Sequence, residues 1–253
     1  MDRFTRQTKR IALLTYLSGS RPPGATRRTE LLTVFWPESS PSRGRNVLRQ
    51  TLHAIRRELG PEVILGNGSE DLRINHDHLT CDASFFEGAI SEGRAETALS
   101  WYEGDFGNGF DLPDCPAFGD WVDLRRQALR EMAANAARDL AHQAEGMSKS
   151  EEALYWWRRA LLHRPFDEAI IRRIGSLLAW EGNQCEAMAE MNSFTERMIA
   201  HLGVEPSAHT LARMNAISRG QMANINRWVG DRRQPWVRRS ERHRKRSADH
   251  RVI

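Results

Sequence analysis

No apolar run in the 253 residues approaches the ~20 that a membrane-spanning helix needs. Cysteine is scarce: only Cys81, Cys115 and Cys185 occur. An odd count at wide spacing argues against a disulfide framework and fits a reducing cytosol, and no CxxC or Cys/His cluster has zinc spacing. Catalytic signatures are missing as well. There is no GxSxG, no Walker loop, no HExxH and no GxGxxG after a strand. EGDFGNGFD is rich in glycine but lacks the Lys-Ser/Thr pair that grips phosphate and Mg²⁺. Two short segments carry the residue types of a metal site. His76-Asp77-His78 with Cys81 is read more simply as a linker between domains, and the spaced acids of residues 101–121 lack EF-hand spacing and its terminal Glu. These absences leave no candidate catalytic residue, metal ligand or cofactor, so the chain is not read as an enzyme.

Charge is unevenly distributed. Residues 1–75 carry 13 Lys/Arg and 7 Asp/Glu, residues 76–217 carry 13 and 23, and residues 218–253 carry 11 and 3. A basic head, an acidic body and a basic tail suggest different partners, with polyanion contact at the two ends. The tail has few aliphatic residues and many arginines (RRQPWVRRSERHRKR). Disorder is expected beyond about residue 230, with nonspecific phosphate contact as one role and a functionless solvated terminus as the other.

The N-terminal run IALLTYL is too short and too interrupted for a signal peptide, and a short amphipathic helix over about residues 6–18 is expected instead, carrying Ile11, Leu13, Leu14 and Leu17. Thr26 can cap a second helix with Leu31, Leu32, Val34 and Phe35, closed off by Pro37. The segment SPSRGRNVLRQTLHAIRRELG (40–60) reads as a third helix, with Ser40 or Ser42 as its cap and Gly60-Pro61 as its stop. VIL, a turn rich in Gly, Asn and Asp, and LRI then predict a hairpin. Three helices followed by a hairpin is the order of a winged helix-turn-helix, whose third helix enters the major groove.

At about 100° per residue, Leu48, Leu52, Ile55 and Leu59 form one buried stripe of that third helix. Arg45, Arg56, Arg49, His53, Asn46, Arg57 and Gln50 form the opposite arc. A solvated face mixes Lys with Glu to gain i,i+4 pairs. This stretch has no Lys, a single acid, and Asn and Gln among its arginines. Asn and Gln can pair bidentately with adenine and Arg with guanine, so the arc reads as a base-reading face, with a plain solvated basic face as the alternative.

From about residue 82 helices are expected nearly throughout, broken by WYEGDFGNGFDLPDCPAFGDW (101–121), whose aromatics should pack onto the helices. A long helix over about 117–145 follows, then shorter pairs. Glu152-Ala153-Leu154 and Glu186-Ala187-Met188 are offset by 34 residues, the tetratricopeptide period. Trp156, Trp157 and Trp180 are expected in the core of that stack. The fold class is therefore mainly α: an N-terminal winged helix-turn-helix (residues 1–75), a tetratricopeptide-like helical domain (76–217) and the basic tail (218–253).

Residues 6–75 resemble a winged helix of the OmpR/PhoB response-regulator type through ELLTVFWPE, RGRNVLRQTLHAIRRELG and LRIN. Residues 82–217 resemble the bacterial transcriptional activator domain of Streptomyces antibiotic regulatory proteins through SWYEGDFGNGFDLPDCPAFGDWVDLRR, EEALYWWRRALLHRPFDEA and HLGVEPSAHT. The resemblance implies a cytoplasmic, sequence-specific transcriptional regulator without enzymatic activity. Its partners would be double-stranded DNA, RNA polymerase and a second copy of the chain, with no membrane. The family's base-reading positions match Asn46, Arg49, Gln50 and His53; Arg56 and Arg57 lie nearby, and Arg73 matches the wing strand. Arg27 and Arg28 open the second helix where its amides favour a phosphate, and Arg43 and Arg45 flank the reading face.

One departure stands out. Family members carry a small antiparallel sheet before the first helix, and this chain starts too late to contain it. The hairpin is then expected to lack a sheet partner, and two isolated strands are marginal in water. A rival reading follows: a tetratricopeptide-like interaction adaptor whose head has lost DNA binding.

Overall fold

The computed structural model describes residues 3–19, 24–67, 70–110 and 112–221. The expected disorder of the tail falls outside these residues. The chain divides into two compact units, Met1–Pro165 and Phe166–Ile253.

The first unit begins with α1 (Arg3–Gly19), a two-residue strand β1 (Thr26–Arg27), α2 (Arg28–Phe35) and α3 (Pro41–Leu59). The hairpin β2 (Ile64–Asn67) and β3 (Asp71–Ile74) follows. All pairing is antiparallel in the order β1-β3-β2, with Thr26 opposite Leu72 and Ile64 opposite Ile74. The hairpin therefore does have a third strand, contrary to expectation. Residues 26–27 supply it, and the Arg28 amide extends the pairing by donating to the Glu70 carbonyl at 2.8 Å. Thr26 is correspondingly a buried strand residue rather than the cap of α2, a position taken by Arg27 without a side-chain bond.

Period-2 alternation turns Leu72 and Ile74 inward. They meet Leu13 and Leu17 of α1, Leu31 and Phe35 of α2, and Leu48, Leu52 and Ile55 of α3 in one core. Two expected core residues lie outside it. Ile11 is 47% exposed and Leu59, in the last turn of α3, is 51% exposed.

That core continues past the hairpin. Leu112, Cys115, Phe118 and Val122 belong to it, and Phe106, Phe110 and Trp121 pack against it. Phe118 lies 5.4 Å from the Phe35 ring, and Trp121 lies 4.6 Å from Tyr16. The aromatic connection predicted to pack on helices thus seals α1 and α2 against the start of a long helix, α6 (Pro116–Gly146). Between them run α4 (Asp82–Ser91) and α5 (Ala95–Trp101), and α7 (Ser150–His163) closes the unit. The short turn between α6 and α7 makes them antiparallel neighbours. Their contact buries an alanine-rich face of α6 (Ala133, Ala137, Ala141, Ala144) and Ala153, Trp157 and Ala160 of α7. Trp157 Nε1 donates to Glu145 at 2.8 Å, which satisfies the indole it buries.

The second unit contains α8 (Glu168–Trp180), α9 (Gln184–Leu202) and α10 (Ala208–Ser218). Asp167 caps α8 by accepting from the Ala169 and Ile170 amides. Ile171, Ile174, Met191, Phe194 and Ile217 fill the core. Trp180, expected there, is 53% exposed, whereas Trp156 and Trp157 of α7 are buried as expected. The string HLGVEPSAHT now has a physical account. Gly203 ends α9 in the left-handed conformation at φ 69°, which a side chain would strain. Glu168 then accepts from the Ser207 amide at 2.9 Å and from the Ser207 and Thr210 hydroxyls, pinning the start of α10 to α8.

Candidate nucleic-acid interface

Helix α3 starts with Pro41 in its first turn, which needs no amide hydrogen there, and ends at Gly60. Its inner face is fixed by Leu48, Leu52 and Ile55. Near the start of α3, Gly44 is buried against α2, where an added Cβ would stand 3.3 Å from Leu32 Cδ2. The two helices approach closely at this point because Gly44 has no side chain. With the inner face anchored, Arg43, Arg45, Asn46, Arg49, Gln50, His53 and Arg57 are all exposed. The sequence-predicted arc is thereby brought together on one helix face.

Arg56 departs from that arc. Its Nε and one terminal nitrogen donate to the Ile64 carbonyl at 3.2 and 2.8 Å. It ties α3 to the hairpin, so part of its donor set is spent on structure. The one acid of α3, Glu58, is held by Arg10 of α1 at 2.7 Å. Sequence periodicity had no means of finding that pair across 48 positions. Its consequence is electrostatic, because the only carboxylate on the helix is already matched to a cation from elsewhere.

Arg28 opens α2 beside this face. Its Nε is buried and has no hydrogen-bond partner among the described residues. Burial, then the nearby positive charges of Arg56 and Arg49, pull its pKa below the usual guanidinium value. Like charges held together without an acid are unfavourable, and an anion at this place would relieve them. Arg27 and Arg73 are exposed on the sheet. Arg27 stands opposite Asp71 in the β1–β3 register, and Arg73 stands opposite Leu65 across β2.

The rear of α2 carries a contact that sequence reasoning missed. Lys9 of α1 is 6% exposed, and its ammonium donates to the Phe35 carbonyl at 3.2 Å. The Cys115 thiol reaches the same carbonyl at 3.4 Å. A cation at a helix C-terminus offsets the negative end of the helix dipole. In the sequence Lys9 is one cation among Arg3, Arg6 and Arg10 of the same helix, so nothing there marks it as the buried one.

The described residues contain no group of three or more His, Cys, Asp or Glu able to hold a metal ion, the His76–Cys81 segment included. No described helix is long and apolar enough to cross a membrane.

No curated protein matches the chain. Among solved structures it is similar to Mycobacterium tuberculosis EmbR in complex with a low-affinity phosphopeptide. The two share 19% identity at a TM-score of 0.58, a likeness of fold, over 88% of this chain. The chain spans 63% of the length of that protein. The model of the bacterial transcriptional activator domain matches residues 81–218. A match over more than half of its residues means that the chain belongs to the bacterial transcriptional activator domain family, a family of transcription regulators.

Proposed function

We propose that the chain is a cytoplasmic, sequence-specific DNA-binding regulator whose first 75 residues work as a winged helix-turn-helix. In this reading α3 lies in the major groove. Asn46, Arg49, Gln50 and His53 read base edges, and Arg27, Arg28, Arg43, Arg45, Arg57 and Arg73 hold phosphates, with Arg56 contributing what the Ile64 carbonyl leaves free. The observation that carries this reading is the unbalanced positive charge of Arg28, Arg49 and Arg56 beside a helix whose single acid is already taken. Hydrogen-bonding side chains that read bases and arginines that neutralise phosphates are the two components of specific DNA binding.

The helical residues 76–217 serve as the tetratricopeptide-like protein-contact part. Ala153 and Ala187, matched by the 34-residue offset, are both fully buried in their own helices, which supports a repeat origin. RNA polymerase and a second copy of the chain are the partners in this reading, and the basic tail adds nonspecific phosphate contact. The adaptor alternative drew its force from a hairpin without a sheet partner. The β1–β3 pairing supplies one and favours DNA binding.

Replacing Arg49 or Gln50 by Ala tests the base-reading role. Each should cost about 1–3 kcal/mol at one cognate base position and little elsewhere. Equal losses on every duplex tested would remove that residue from the reading face.

A further inference from the structure

In the second unit, α10 runs back along α9. The Gln184 side chain, at the start of α9, donates to the Ile217 carbonyl near the end of α10, and Thr195 Oγ1 donates to Met214 Sδ at 3.9 Å. These two contacts fix the pair as antiparallel. Beyond Thr195 its stripe of α9 continues as Ile199 and Leu202, and Leu211 stands one turn before Met214 on α10. Val204 follows the turn at Gly203 at the same end of the pair. Ile199, Leu202, Val204 and Leu211 are 37–50% exposed. Single apolar side chains are ordinary on a surface, whereas four gathered at one end of a helix pair mark a face that something covers.

Charge narrows the choice of occupant. Residues 76–183 carry 11 Lys/Arg and 19 Asp/Glu, so two copies of that stretch repel each other. Residues 184–221, which hold α9 and α10, carry three Arg and four Glu and largely escape that repulsion. Glu205 and Arg219 are exposed and form no ion pair among the described residues. They stand seven positions before and seven after Ala212, which is itself exposed on α10. Two α10 helices crossing antiparallel at Ala212 would therefore bring each Glu205 towards the Arg219 of the other copy, and a two-fold axis makes that pair twice. We propose that this face is covered by a second copy of the chain, α10 against α10 about an axis level with Ala212. Ile199, Leu202, Val204 and Leu211 supply the apolar contact, and Glu205 and Arg219 fix its direction. This rests on the second copy named above as a partner and gives it a surface.

Sedimentation velocity on the full chain without DNA tests this. So small a contact should give a reversible dimer with a dissociation constant on the order of 10 µM. Leu211→Asp should raise that constant at least about tenfold. Arg219→Glu and Glu205→Arg, both at exposed positions, should each weaken the dimer, because like charges then meet at both pairs. Mixed in equal amounts, these two variants should dimerise with near-native affinity, since every pair across the axis is again of opposite sign. A native chain that stays monomeric would overturn the proposal and leave the face to residues 222–253 or to another protein, without touching the reading of DNA. Dimerisation undiminished in a folded Leu211→Asp variant, or no recovery in the mixture, would overturn this surface while keeping the second copy as a partner.

Discussion

Replacing Phe118 by Ala is expected to destabilise the arginine-bearing helices, although Phe118 lies 59 positions beyond the end of α3. Its ring is 1% exposed and packs on Phe35 at 5.4 Å, Phe110 at 6.3 Å and Trp121 at 5.8 Å. Truncating a fully buried Phe costs about 3–5 kcal/mol, the lost transfer energy plus the cavity left behind. For a unit of this size each kcal/mol lowers Tm by roughly 2–4 °C, so a fall on the order of 10 °C should follow. Leu124→Ala on the same helix is the control. That side chain is 68% exposed, and its loss should stay within about 0.5 kcal/mol. Denaturant unfolding followed by tryptophan fluorescence, together with amide exchange across α2 and β3, would read the effect. If the head and the start of α6 share one core, exchange in α2 should accelerate along with exchange in α6. A loss under about 1 kcal/mol, or exchange in α2 unchanged while α6 opens, would refute a shared core.

Two pH effects lie in different windows. Hydrogen bonds from Ser207 and Thr210 hold Glu168 below the usual carboxylate range although burial opposes its ionisation. Its stabilisation of the second unit is therefore fully present above the ordinary value near pH ~4.3 and is lost as pH falls through the lower folded value. Glu168→Gln should flatten that acid limb in pH-dependent thermal melts. His163 behaves otherwise: burial, then the charge of Arg159, lower its pKa, and its buried Nε2 has no hydrogen-bond partner among the described residues. The folded state disfavours its protonation, so stability of the first unit should decline as pH drops below the ordinary value near ~6.5. His163→Phe should remove that decline, and an unchanged slope in the variant would assign it to another group.

Much of this architecture was legible from periodicity. The α3 stripe of Leu48, Leu52 and Ile55 is buried, and the arc opposite is exposed with Arg56 half-buried, because a helix converts spacing directly into facing. Periodicity does not say where a core ends. Leu59 and Trp180 fit an apolar stripe, yet each sits in the last turn of its helix and remains open to solvent. Strand β1 was illegible for a different reason, since two residues carry no alternation to detect. The Arg10–Glu58 pair, the Lys9 contact with α2 and the second bond of Arg56 to the hairpin join distant segments, so they exist only once packing is known.

The measurement closest to the central claim is selection of bound duplexes from a random DNA pool. Salt dependence would then be measured on the winners, with and without residues 231–253. If α3 reads bases, one preferred motif should emerge and persist after the tail is removed, with a smaller salt slope as phosphate contacts are lost. Sequence-blind binding, or binding that vanishes with the tail, would contradict the assignment of base readout to Asn46, Arg49, Gln50 and His53.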